Sequence, residues 1–214
     1  ARATRAHGAS SSSSCAHTMA SQPPPPPTAP IGAIFWDFDG TISASIWVDR
    51  LGGWAVSDSG RRHIVEGLTA DETRLNFGGA ERIAALHTAL TALRKLNVRQ
   101  IIISHGLSAV IRPHLAQVGL EGLFDEIYGS DSPELRECGG GHSDKARLIA
   151  KRMAKLQLRR TRCVFIEDTD ANLQPARDNN VCECWLVNRG EGGISVAKLD
   201  ELAATFAALA QNVQ

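Results

Sequence analysis

The sequence predicts an α/β fold, a doubly wound parallel sheet of Rossmann-like type with a small cap insertion after its first strand. Three observations carry this expectation. Short runs that are apolar on both faces, Ile31 to Trp36, Ile101 to Ile103 and Cys163 to Ile166, are what strands covered by helices on both sides produce. Between them lie segments whose apolar residues fall three and four apart, the mark of amphipathic helices, so strand and helix alternate along the chain. Polar and acidic residues gather directly after the strands, at the end where such sheets bind ligands.

The 214 residues suffice for one domain with an extension. Residues 1–30 contain no acidic side chain and carry the Ser10 to Ser14 run and the Pro23 to Pro27 tract, a composition that stays solvated and builds no core. They read as a tail preceding a domain over 31–214. Their basic, Ser-rich character also fits a transit segment to a plastid or mitochondrion, and Met19 offers an alternative start. Twenty-three basic residues balance 23 acidic ones, which removes any global electrostatic case for nucleic acid or an anionic membrane. No apolar run approaches the roughly 20 residues that span a bilayer. The five cysteines, Cys15, Cys138, Cys163, Cys182 and Cys184, form no Cys-x-x-Cys pair, which points to a reduced intracellular compartment such as the cytoplasm. Cys182 and Cys184 share one side of an expected strand and read as core filling.

The first strand ends at Asp37-Phe38-Asp39-Gly40-Thr41. Two carboxylates spaced i and i+2 at a strand exit repel each other and resist desolvation, so a compensating charge is expected. A hard divalent cation such as Mg2+ suits them, since it takes oxygen ligands and keeps several waters. Gly40 permits a tight turn and Thr41 offers a hydroxyl. The plainer alternative is an Asp-Gly hairpin turn. Residues 42–79, with Trp47, Trp54, several glycines and the basic Arg50, Arg61, Arg62 and His63, are too irregular for one long helix. They form either a small lid of one or two helices or a simple connector whose tryptophans pack on the core.

From Ala80 the spacing of Ile83, Leu86, Leu90 and Leu93 predicts a helix ending near Asn97. A strand over Val98 to Ile103 then delivers Ser104-His105-Gly106 at its carboxyl end. Leu107 to Val118 reads as a helix that Pro113 can bend, Phe124 to Tyr128 as a short strand, and Ser130 to His142 as a glycine-rich loop. Ser143 is a candidate cap for a helix running from Asp144 past Leu156, with Lys145 at its opening, where a cation opposes the helix dipole and needs another reason to be present. The strand Cys163 to Ile166 leads into Glu167-Asp168-Thr169-Asp170-Ala171-Asn172, with Asp170 a candidate cap. A last strand over Val181 to Val187, a loop over Arg189 to Gly193 and a closing helix over Ser195 to Leu209 complete the chain.

Asp-Phe-Asp-Gly-Thr after an apolar strand resembles the first motif of the haloacid dehalogenase-like hydrolases, and the resemblance extends over residues 31–187. It implies that Asp37 is a nucleophile that becomes an aspartyl-phosphate and that Asp39 is the general acid and base. Ser104 matches the second motif, a hydroxyl donating to the transferring phosphoryl group, and Lys145 the third, a cation offsetting nucleophile and phosphate. Glu167-Asp168 with Asn172 resembles the fourth, in which Asp168 binds the metal and Asn172 holds its water or Lys145. Glu167 departs from the frequent Gly-Asp form. Mg2+ is then expected on Asp37, Asp39 through its backbone carbonyl, Asp168 and Asn172. The substrate's phosphoryl group is expected on Thr41, Ser104, His105, Gly106 and Lys145. The second Asp of the first motif favours phosphoryl chemistry, and the order of motifs suggests the phosphoserine phosphatase-like branch.

The expected function is therefore a magnesium-dependent phosphomonoester hydrolase acting on a phosphorylated small molecule or a phosphoprotein. A phosphomutase would use the same motifs, and a binding or structural subunit could keep the fold without turnover. The sequence carries no signal for oligomeric state. All of this requires that the side chains at positions 37 and 168 meet in one cluster.

Overall fold

The computed structural model describes residues 30–44 and 58–211. Five strands, β1 (Gly32–Trp36), β2 (Val98–Ile103), β3 (Glu126–Tyr128), β4 (Cys163–Glu167) and β5 (Glu183–Leu186), form one sheet in the order β3-β2-β1-β4-β5. Every pairing is parallel. The chain therefore builds outward from β1 to β3 on one side, then crosses back to lay β4 and β5 on the other. The reversal falls between β1 and β4, the point at which parallel sheets open a crevice at their carboxyl ends.

Side chains alternate across the strands, as the two-residue period requires. Ile34 and Trp36 face a cluster built with α3 (Ala80–Lys95), α4 (Ser108–Gln117) and α8 (Val196–Gln211), including Leu86, Leu90, Leu115, Leu202 and Phe206. Ala33 and Phe35 face the other side, where Leu148 and Ile149 of α6 (Asp144–Leu156) and Leu173 of α7 (Asp170–Asp178) complete a second cluster. The buried indole N–H of β1 is satisfied, because Trp36 Nε1 donates to Gln100 Oε1 at 2.8 Å.

Several boundaries differ from expectation. The segment over 130–142 contains a short helix, α5 (Pro133–Arg136), opened by a proline at its first turn, where the missing N–H costs nothing. Pro113 does not interrupt α4. Thr169, not Asp170, occupies the cap position of α7, and neither Thr169 nor Ser143 caps with its side chain. Cys182 sits in a bend just before β5. Between β1 and α3 lie two helices, α1 (Asp58–Gly67) and α2 (Ala70–Asn76). Thr69 and Glu72 cap α2 reciprocally, and Val65 of α1 packs on Leu107 and Val110. The expectations for the tail over 1–29, for Cys15, and for Arg50, Trp47 and Trp54 of the insertion fall outside the described residues.

Among the described residues no helix is long and apolar enough to cross a membrane.

Candidate active site

At the end of β1 the backbone of Asp37 is still extended, and its N–H donates to the Ile166 carbonyl of β4 at 2.8 Å. The chain then coils tightly through Phe38–Ile42, with Gly40 in the left-handed region at φ 78°. This turn keeps Asp37 and Asp39 buried at the carboxyl end of the sheet instead of leading into a hairpin. From β2, Ser104 donates its N–H to the Tyr128 carbonyl, and its Oγ accepts from Gly106 N at 3.0 Å. The hydroxyl proton of Ser104 is thereby left to donate elsewhere. A Cβ at Gly106 would lie 3.1 Å from Asp39 Oδ2 and 3.3 Å from Ser104 Oγ, so a side chain there would crowd the two polar groups.

Lys145, only 1% exposed, reaches from the first turn of α6 into the crevice between β1 and β4. Its Nζ donates to Asp37 Oδ1 and to Glu167 Oε2, both at 2.6 Å. Burial alone would lower the ammonium's pKa, but the charges of Asp37 and Glu167 outweigh it and hold it above the usual lysine range. Glu167 is pushed up to about 8, chiefly by burial and then by the negative charge of Asp37, with Lys145 and Asn172 opposing. Three acids against one lysine leave the centre short of positive charge.

Oxygens of Asp37, Glu167 and Asp168 lie within 4.8 Å of one another, so the two acids that the sequence places far apart do meet. An all-oxygen carboxylate set of this compactness fits a hard divalent cation. Within it Glu167 is the most committed, because Oε1 accepts from Asn172 Nδ2 at 2.9 Å while Oε2 accepts from Lys145. The Asp39 carboxylate is not part of the cluster.

A cavity of about 70 Å³ is lined by these groups: Asp37, Asp39, Ser104, His105, Lys145, Glu167, Asp168, Thr169 and Asn172. Thr41 and Asn172 each have partners of their own beside the cavity. Thr41 is fully buried outside that lining, and its carbonyl accepts from Arg82 and from Ile194 N, so its place is in the wall supporting the turn. Asn172, which lines the cavity, bonds Glu167 with its NH2 and His142 Nδ1 with its carbonyl oxygen at 2.8 Å, so it meets the cluster through Glu167.

The structure also adds residues. His105 has an acid beside it, Asp144 Oδ1 at 2.9 Å from Nε2, and that oxygen also accepts from Lys145 N at 2.5 Å. A separation of 39 positions hid the pair, whose only sequence sign was an acid at the opening of α6. His142 likewise had no local signal beyond polarity, while Glu167 stood in the fourth motif without an assigned role. Arg82 of α3 is the largest omission: Nε donates to the Ile194 carbonyl at 3.0 Å, Nη1 to those of Ile42 and Phe77 at 2.8 Å, and Nη2 to that of Thr41 at 2.7 Å. It fastens both roots of the insertion to the segment before α8.

Comparison with known proteins agrees with this architecture. A family model described as haloacid dehalogenase-like hydrolase matches residues 47–180, most of the chain though not the Asp37 turn itself. The HAD domain of the effector protein Lem4 from Legionella pneumophila superposes with a TM-score of 0.55 at 17% identity, over 84% of this chain and 96% of that one. An uncharacterized protein from Listeria monocytogenes serotype 4b superposes with a TM-score of 0.51 at 16% identity, over 84% of this chain and 99% of that one. At such identities these two likenesses speak to the fold. No curated protein sequence matches the chain.

Proposed function

The chain belongs to the haloacid dehalogenase-like hydrolases, and on that footing we propose that it is a magnesium-dependent phosphomonoester hydrolase that works through an aspartyl-phosphate on Asp37. The observation that supports this best is the buried grip of Lys145 on both Asp37 and Glu167, inside a cavity that Asp39 and Ser104 also line. Asp37, Asp168 and the Asp39 backbone carbonyl would hold Mg2+, which when bound supplies the positive charge that lets an anionic carboxylate approach an anionic phosphate.

Lys145 fixes the orientation of Asp37 by holding Oδ1, which leaves the carboxylate aimed instead of free to rotate. Asp37 attacks phosphorus, the bond from phosphorus to the leaving oxygen breaks, and Asp39 gives that oxygen its proton. Ser104 and Lys145 donate hydrogen bonds to the phosphoryl oxygens as charge builds on them. Asp39, now a carboxylate, takes a proton from water, and the resulting attack on phosphorus frees phosphate and restores Asp37. Asn172 and His142 hold Glu167 in place, and Glu167 in turn holds Lys145. The substrate is a phosphorylated small molecule or a phosphoprotein.

Phosphate release from an aryl phosphate, measured with and without magnesium in the native protein and in Asp37→Asn, tests the proposal. Turnover that needs magnesium and vanishes in the variant is the expected result. A native protein that releases no phosphate at any magnesium concentration overturns it.

A further inference from the structure

Apart from the acidic cavity, the chain gathers three sulfurs at the start of the β4–β5 pair. Parallel register sets Val164 opposite Glu183 and Phe165 opposite Cys184, which brings Cys163 level with Cys182. All three pack on the same apolar cluster, but they differ in access. Cys163 and Cys138 are buried, whereas Cys182 and Cys184 are half-buried at the edge of the sheet. The Cys184 side chain folds back along the chain, its sulfur 3.6 Å from the Cys182 carbonyl oxygen, which brings its thiol beside that of Cys182. Cys182 lies in the bend that leads into β5, two residues before Cys184, and a step of that length spans at most ~7 Å at Cα, which reaches the range that disulfides bridge.

We propose that Cys182 and Cys184 are a redox-modification site, a dithiol that a hydroperoxide converts to an intrachain disulfide. The hydrogen bond from Cys182, with the Arg177 guanidinium as a further aid, holds the Cys184 thiol below its ordinary range, while the same hydrogen bond and burial push Cys182 up. Cys184 is therefore the attacking thiolate. Its sulfur takes the terminal oxygen of the peroxide, the O–O bond breaks, and for hydrogen peroxide the leaving hydroxide collects the thiol's proton as water. Cys182 sulfur then attacks the sulfur of the Cys184 sulfenic acid, the S–O bond breaks, and that oxygen departs as a second water with the Cys182 proton. Two thiols lose two electrons and two protons, and one peroxide becomes two waters. Cys163 stays out of the reaction because burial raises its thiol to about 11.

The disulfide would also reach the acidic cavity. Leu186 of β5 pairs with Glu167, Val187 N donates to the Glu167 carbonyl, and α7, packed on β5, carries the Asn172 that holds the Glu167 side chain. Contracting the start of β5 pulls on that residue, and reduced turnover in the oxidised protein follows; this consequence alone rests on the hydrolase reading.

The test treats the full chain with hydrogen peroxide, alkylates remaining thiols with N-ethylmaleimide, and maps the peptides by mass spectrometry. The expected product has lost two hydrogens, carries its crosslink between Cys182 and Cys184, and returns to the dithiol form with dithiothreitol. In Cys182→Ser the disulfide is replaced by a sulfenic acid on Cys184 that dimedone traps. Alkylation of both cysteines after peroxide treatment overturns the proposal, as does a crosslink that uses only one of them. The native peptide map decides even where the variant fails to fold. Phosphate release from an aryl phosphate, run on the same samples, separates the two readings. An inactive reduced protein counts against the hydrolase, while the peptide map still judges the dithiol.

Discussion

Two cations are buried on opposite sides of the turn that follows β1, and their surroundings have little in common. Lys145 lies between two carboxylates at 2.6 Å, and its pKa rises. Arg82 lies among four backbone carbonyls, pairs with no carboxylate among the described residues, and is brought down to about 10 by burial. A guanidinium stays charged under that penalty and offers a planar fan of donors that can meet several carbonyls at once. An ammonium is a point charge that needs opposite charge to stay ionised in the interior. The contrast separates two tasks at one turn: Lys145 sets the electrostatics of the carboxylates, and Arg82 sets the path of the chain that presents them.

The sharpest test of that division is Lys145→Met. Removing a donor aimed at developing negative charge lowers kcat by about a thousandfold. It also leaves Asp37 and Glu167 facing each other without a cation between them, so magnesium should raise the thermal midpoint of the variant more than that of the native protein. Steady-state kinetics and thermal unfolding across a magnesium titration read both effects. A variant that keeps its turnover would place Lys145 on the architectural side with Arg82.

Arg82→Met probes the other half. It strips donors from the carbonyls of Ile42, Phe77 and Ile194, which burial shields from water, and the expected loss of stability is about 3 to 5 kcal/mol. Chemical denaturation measures it. The folded fraction should keep a kcat within a few-fold of native, because none of the residues that Arg82 hydrogen-bonds lines the cavity. A variant of native stability whose kcat collapses would overturn the assignment.

What the sequence revealed follows the same division. The strands β1, β2 and β4 are legible because their apolar runs have no other use, and Asp37, Ser104, Lys145 and Asp168 because each stands at the end of a strand or the start of a helix. Arg82 is not legible, since on α3 it is one more basic residue at helical spacing and three of its four acceptors come from two distant segments. The pair of His105 with Asp144 is hidden for the same reason: strand order, not local spacing, makes them neighbours. Where a residue belongs to a turn, as Thr41 does, spacing alone could not tell whether its side chain faces the cavity or the wall.

His114 on α4 marks the limit of the comparison, a basic group buried with neither kind of support. Its ring packs 4.9 Å from Phe77 and 6.2 Å from Phe38, and Nε2 meets Asn76 Nδ2 at 2.7 Å. An amide NH2 only donates, so Nε2 accepts and the ring is held as the neutral tautomer protonated at Nδ1. Burial lowers its pKa from 6.5 to about 4. With the folded value below the unfolded one, the unfolded chain binds the proton more readily between those limits, so stability is complete above pH 6.5 and falls as the pH drops toward 4. The loss over that window is on the order of 3 kcal/mol for this group. Urea denaturation of the native protein and of His114→Gln at a series of pH values isolates it, since the variant keeps a polar side chain of similar reach but has nothing to titrate. The difference between the two proteins should shrink steadily as the pH is lowered through the window. A difference independent of pH would mean that the ring is already exposed to protons in the folded state, and that the aromatic packing under Phe38 is looser than the distances imply.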